Sequence, residues 1–235
     1  MNTKVAVITG ASQGIGKEIA YQLAEDGYNL ALISRNNEVL LEISELLSSK
    51  GCNVLPIPCD ISDINSVRSA INQVINYYQK IDILICNAGI GVYNSLQQTS
   101  DDEWNKILSV NINGTFFITR EVVKHMVKSK SGYVLFIGSE AGKQGFKNLS
   151  SYCFSKFGIN GFAASLSKEC KKYGIRVGVI NSGLVNTESN SNIISSMKST
   201  WLQPNDIAKI VQMTLNLPDH VVLDEISVHS IHHRL

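Results

Sequence analysis

Short apolar runs rich in Val and Ile recur along the chain, separated by longer stretches in which apolar residues return at helical spacing. The runs are KVAVITG, NLALIS, NVLPIPC, IDILICNAG, YVLFIGS, IRVGVINSG and a weaker DEISVHS. Strands this uniformly apolar have no face for water, which is the condition of a parallel sheet covered by helices on both sides. The pattern therefore predicts an α/β fold built on a doubly wound parallel sheet. Its third strand carries Pro56 and Pro58, which lack an amide donor and are tolerated at a sheet edge. An edge position for that strand agrees with the order 3-2-1-4-5-6.

Helix signals fit the same parse. Ser100 and Glu103 have capping-box spacing ahead of a long helix, and Lys171, Lys172 and Gly174 read as a cation-rich last turn closed by a left-handed glycine. At 235 residues one domain over residues 1–235 is expected, with a mobile lid at about 188–201 in a Ser/Asn-rich stretch. The formal charge of +1, without blocks of like charge, gives no reason to expect a nucleic acid or an anionic membrane as partner. Five cysteines without CxxC spacing read as reduced thiols. No leader pattern or membrane-length apolar run is evident, so a soluble, cytoplasmic protein is expected.

The first strand runs into TGASQGIG, with Gly10, Gly14 and Gly16 where a strand must turn sharply and open a helix. Glycines there let the backbone approach a pyrophosphate, which the helix amides then hold. Ser12, Gln13 and Ile15 fill the same turn and join the predicted dinucleotide site. The second strand ends at Ser34 and Arg35, where a site for NAD would carry a carboxylate for the ribose hydroxyls; a guanidinium suits a 2′-phosphate, so NADP(H) is favoured over NAD(H). The alternative is that Arg35 is only a loop residue and Glu38 takes the missing acid's place. Asp60, with Ile61 beside it, could meet the adenine or simply cap a helix. Asn87, Ala88 and Gly89 follow the fourth strand, where small residues would let a ribose lie against the backbone.

Together, TGASQGIG, NAG, the Asn of VNINGTFF, Ser139 in GSEAG and Tyr152 with Lys156 in YCFSK resemble the short-chain dehydrogenase/reductase family, over about residues 3 to 230. The resemblance implies a Rossmann fold and a hydride transfer between NAD(P) and a carbonyl or alcohol, with Ser139, Tyr152, Lys156 and Asn111 as the catalytic group. The residue chemistry agrees. A carbonyl that accepts hydride gathers charge on oxygen, so Tyr152 is the natural acid and Ser139 the natural orienting group. A free phenol titrates near 10, and Lys156, one helical turn on, is expected to acidify it. By the same resemblance Lys156 holds the nicotinamide ribose, and Asn111 bends its helix and holds a water that passes protons from Lys156 to solvent.

The family's Pro-Gly pair after strand six is here Ser182 and Gly183, followed by the matching Thr187, and the C-terminus lacks the usual glycine-rich ending. His229, His232 and His233 do not form a metal pattern. Specificity is assigned to loops 91–96 with Tyr93, 141–149 with Phe146, and the lid with Met197 and Trp201. The expected reaction is reduction of small ketones or aldehydes, reversible with secondary alcohols. The alternatives are reduction of 3-oxoacyl groups on a carrier protein, which requires a basic docking patch such as Lys124, Lys128 and Lys130, and a catalytically silent NADP-binding regulator, which the intact Ser139, Tyr152 and Lys156 oppose. The resemblance also implies a homotetramer or homodimer through helices starting near Asp101 and Ser151.

Overall fold

The computed structural model describes residues 3–187 and 200–232. Strands β1 (Val5–Thr9), β2 (Asn29–Ser34), β3 (Val54–Pro58), β4 (Ile83–Cys86), β5 (Gly132–Ile137), β6 (Ile175–Ser182) and β7 (Glu225–Val228) form one sheet in the order β3-β2-β1-β4-β5-β6-β7. Every pairing is parallel. The proline-bearing β3 lies at the edge and pairs with β2 alone, as the missing amide donors require.

Alternate side chains of each central strand enter different cores. Val5, Val7, Ala31, Ile33, Leu84, Val134 and Phe136 pack on α3 (Ile64–Tyr78), α5 (Thr115–Ser129) and α6 (Ser150–Cys170). Ala6, Ile8, Leu30, Leu32, Ile83, Ile85 and Leu135 pack on α1 (Gly14–Glu25), α2 (Asn37–Ser49) and α7 (Pro204–Leu215). The sheet is thus wound on both faces, which explains why its strands read as unbroken apolar runs.

The capping box forms as the spacing predicts: Ser100 and Glu103 exchange bonds at the start of α4 (Asp101–Ile107). The long helix expected after it is interrupted, because Leu108–Gly114 winds as a π-helical segment before α5 resumes. That widening turns Asn111 into the fold, where it is 1% exposed. The Lys171–Tyr173 turn ends at Gly174 with φ +68°, the left-handed closure expected. Phe116, Phe154 and Phe157 are exposed on the outer faces of α5 and α6, and Trp104 of α4 stacks on Phe154 with ring centroids 5.3 Å apart. Of the lid, residues 188–199 and with them Met197 lie outside the described residues, as does His233. Trp201 is buried just ahead of α7.

Candidate active site

In a parallel sheet all strands end at the same edge, so the six loops after β1 to β6 are brought together without any further device. Residues from all six line one cleft of about 770 Å³: Gly10 to Ile15 in part, Ser34 to Asn36, Cys59 to Ile61, Asn87 to Gly91, Gly138 to Ala141, and Gly183 to Thr187 in part. That volume suits a ligand of cofactor size.

At one end the glycine turn is pinned rather than loose. Asn87 donates through Nδ2 to the carbonyls of Thr9 (3.0 Å) and Gly10 (3.2 Å). The Thr9 hydroxyl in turn accepts from the amides of Asn87 (3.0 Å) and Ala88 (3.1 Å). Gly16 has no room for a side chain, since a Cβ there would collide with the Gly10 carbonyl oxygen and the Asn87 amide. Gly14 faces Thr187, whose Cγ2 would lie 3.3 Å from an added Cβ, so Thr187 closes the cleft over the turn. An open backbone turn at the start of α1, walled by small residues, fits a dinucleotide.

Ser34, Arg35 and Asn36 line the rim, whereas Glu38 sits in the first turn of α2 and is not part of the lining. Ser34 Oγ is held by the Asn36 amide at 3.2 Å. Asp60 also lines the cleft, but its Oδ1 accepts from the amide (2.9 Å) and hydroxyl (2.7 Å) of Ser62. The Ser62 hydroxyl bond, with a smaller contribution from Arg35, lowers its pKa. The cap of α3 is Asp63, so Asp60 stabilises a turn and presents only what remains of its carboxylate to the cleft.

The chemical end is built by β5, the turn after it, and α6. Ser139 ends the strand extension and caps the turn Glu140–Gly142, its Oγ accepting from the Ala141 amide at 3.2 Å. Tyr152 and Lys156 lie on one face of α6, with the ammonium 5.7 Å from the phenol ring centroid. The Ser139 hydroxyl lies close enough to the Tyr152 phenol to oppose the rise of its pKa. Lys156 is buried and donates to the Ile137 carbonyl at 3.1 Å; burial lowers its pKa to about 8.

Burial is the largest influence on the phenol and raises its pKa, with the Ser139 hydrogen bond opposing it. The ammonium is bonded to the Ile137 carbonyl, at the inner side of the same helical face as the phenol. Asn111 lies in the π-helical segment: its Oδ1 accepts from the Ile90 amide (2.8 Å), and Nδ2 donates to the Ile90 carbonyl (2.9 Å) and Ser155 Oγ (3.0 Å). It docks the loop after β4 onto α6.

The substrate end is walled by Tyr93, Phe146, Leu149 and Leu184. Tyr93 lies close enough to Tyr152 that burial and the neighbouring phenol both raise its pKa. Lys128 and Lys130 stand at the C-terminal end of α5, just before β5 begins, and so at the amino edge of the sheet; Lys124 is bound to Glu121 at 2.9 Å. None of the three lines the cleft. Two contributors escaped sequence reasoning. Thr9 is a polar residue at the end of an apolar strand, a readable signal. Glu140 is buried beside Ser139, bonded by Gln144 Nε2 and 3.7 Å from His229 Nδ1; only the fold brings His229 there.

A family model described as short chain dehydrogenase matches residues 4–198. The chain is similar to a sepiapterin reductase of Chlorobaculum tepidum, 31% identical over 229 residues and 94% of each chain. It is also similar to a 3-oxoacyl-(acyl-carrier-protein) reductase of Staphylococcus aureus, 30% identical over 213 residues, 90% of this chain and 87% of that one. Among solved structures, an alcohol dehydrogenase of the archaeon Thermococcus sibiricus complexed with 5-hydroxy-NADP superposes with a TM-score of 0.93 at 28% identity, covering 99% of each chain.

Replacing Asn111 by Ala leaves the part-buried amide and carbonyl of Ile90 without their partner. Asn111→Ala is expected to lower unfolding free energy by about 2–4 kcal/mol, the sum for two orphaned backbone groups, as read by urea denaturation. A loss below about 0.5 kcal/mol, the size of an ordinary surface substitution, would contradict this role.

Proposed function

Since the chain belongs to the short-chain dehydrogenase family, a family of oxidoreductases, we propose that it is an NADP(H)-dependent reductase of small ketones or aldehydes, reversible with secondary alcohols. The observation that carries this reading is the convergence of the Ser139 hydroxyl, the Tyr152 phenol and the buried Lys156 ammonium at the far end of a cleft whose near end is the pinned glycine turn. Arg35 on the rim, with Glu38 outside it, supports the phosphorylated cofactor. NADPH, when bound, supplies the hydride.

The residues supply the rest. Gly10 to Ile15 and Thr187 hold the nucleotide, and Lys156 lies where it can meet the nicotinamide ribose. Ser139 orients the carbonyl oxygen, and Tyr152 delivers its proton as negative charge builds there. The phenol's raised pKa keeps that proton in place at neutral pH. The phenolate left behind is favoured by the Lys156 ammonium, and proton uptake restores the acid. The walls of Tyr93, Phe146, Leu149 and Leu184 favour a compact, apolar or aromatic carbonyl compound. The relative that reduces 3-oxoacyl groups by name motivates a second reading on carrier-bound thioesters. Lys128 and Lys130 do not favour it, because they stand at the opposite edge of the sheet from the cleft.

NADPH oxidation measured over a panel of ketones, aldehydes and 3-oxoacyl thioesters tests both readings. Tyr152→Phe is expected to lose about 100-fold or more in kcat, the usual share of a general acid, with NADPH binding retained. Lys156 loses its charge as pH rises through about 8, so the rate of reduction is expected to fall on the alkaline side of that value. Turnover by Tyr152→Phe at the wild-type rate would end the assignment.

The cofactor reading has its own test. Arg35→Asp is expected to shift the ratio of kcat/KM from NADPH toward NADH by about 10- to 100-fold, the scale of one charge-assisted contact. An unchanged ratio would remove Arg35 from the site.

A further inference from the structure

Asn181 is fully buried near the carboxyl end of β6, after the apolar residues Val177 to Ile180. Its Oδ1 accepts from the backbone amide of Ser139 at 3.1 Å, and its Nδ2 donates to Asn160 Oδ1 on α6 at 3.1 Å. Asn160 Nδ2 then donates to the carbonyl of Gly142 at 3.0 Å. This relay of two side-chain amides starts on a backbone donor and ends on a backbone acceptor. The donor at one end fixes which way the Asn181 amide faces, and the acceptor at the other fixes Asn160. The two requirements agree where the amides meet, and turning either one over would set donor against donor or acceptor against acceptor.

The two backbone groups it joins are the ends of one short turn. Ser139 opens the turn Glu140–Gly142, and the Gly142 amide bonds back to the Ser139 carbonyl at 2.8 Å. The relay therefore closes a ring around the segment that carries the Ser139 hydroxyl, tying it to both β6 and α6. The flanking glycines match: a Cβ on Gly138 would strike the Asn181 oxygen, and one on Gly142 would strike the Asn160 nitrogen. Neither asparagine lines the cleft.

We propose that the Asn160–Asn181 amide pair is a positioning device for Ser139, fixing both ends of its turn so that the hydroxyl keeps its place beside the Tyr152 phenol. The two asparagines are positioning residues, and their effect on the reaction, which rests on the reductase reading above, passes through Ser139. The pair also explains why a strand that must be buried on both faces keeps a carboxamide: an apolar residue at 181 would leave the Ser139 amide without its acceptor.

Asn160→Ala is the gentler variant, because Asn160 is half-buried at the surface of α6, and Asn181→Ala is the second. Amide hydrogen exchange, which needs no substrate, is read first. Exchange across residues 138–142 is expected to quicken by about tenfold or more in Asn160→Ala, with the amides of β5 and β6 unchanged. Unchanged exchange in both variants would overturn the proposal, even were the protein to reduce nothing on the panel, an outcome that would overturn the reductase reading instead. With an active wild type, kcat of Asn160→Ala is expected to fall about tenfold, with KM for NADPH within about twofold. In a Ser139→Ala background the same substitution is expected to have no further effect on kcat. An equal loss in both backgrounds would show a role in general stability and overturn the assignment to Ser139.

Discussion

A lysine ammonium held away from water organises this site. Lys156 is 6% exposed, bonded to the Ile137 carbonyl, and its affinity for a proton is lowered by burial to a pKa of about 8. Such a group is tolerated only where the surrounding fold leaves it no other place. The parallel sheet ends β5 at Ile137 and the start of α6 lies directly over that end, so the side chain reaches inward to a strand-end carbonyl. The phenol one turn earlier is placed by the same helix, and the serine by the same strand. Desolvation acts on both partners in opposite senses: it favours the neutral amine and the neutral phenol. A neutral phenol beside a cation able to stabilise its anion is the pair that the proposed reduction requires.

Around this pair, three buried or part-buried asparagines each hold one loop of the carboxyl edge. Asn87 pins the glycine turn after β1, Asn111 docks the loop after β4, and Asn181 holds the turn after β5. Asn87 donates to two strand-end carbonyls, Asn181 accepts from a strand-end amide, and Asn111 does both, satisfying backbone groups that the sheet ladder no longer reaches. The loops of the cleft are thus tied down by side-chain amides rather than by the sheet ladder alone. An open α/β sheet brings its loops together for free, and these amides fix how they lie.

The strands, their order and the proline-bearing edge were legible because burial on both faces writes itself as unbroken apolar runs, and because Pro56 and Pro58 forbid an interior position. The capping box and the left-handed Gly174 were legible because their chemistry is local. The π-helical widening at Leu108–Gly114 was not, since it follows from seating Asn111 against Ile90 and Ser155, contacts across 21 and 44 residues of chain. Asn181 sits beside Ser182 at the end of a largely apolar run, which marks it as a strand-end polar residue but not as the acceptor for Ser139. Spacing puts Lys156 on the same helical face as Tyr152, while only the packed structure shows that its ammonium bonds a strand-end carbonyl and that burial raises the phenol's pKa.

The most direct measurement is the titration of the Lys156 side chain itself, by carbon NMR of protein labelled at lysine and assigned with Lys156→Arg. The account predicts a midpoint at about 8 in the free protein. A midpoint at the ordinary lysine value of 10.5 would mean that the ammonium is in water, and would contradict the buried pair on which the site is built.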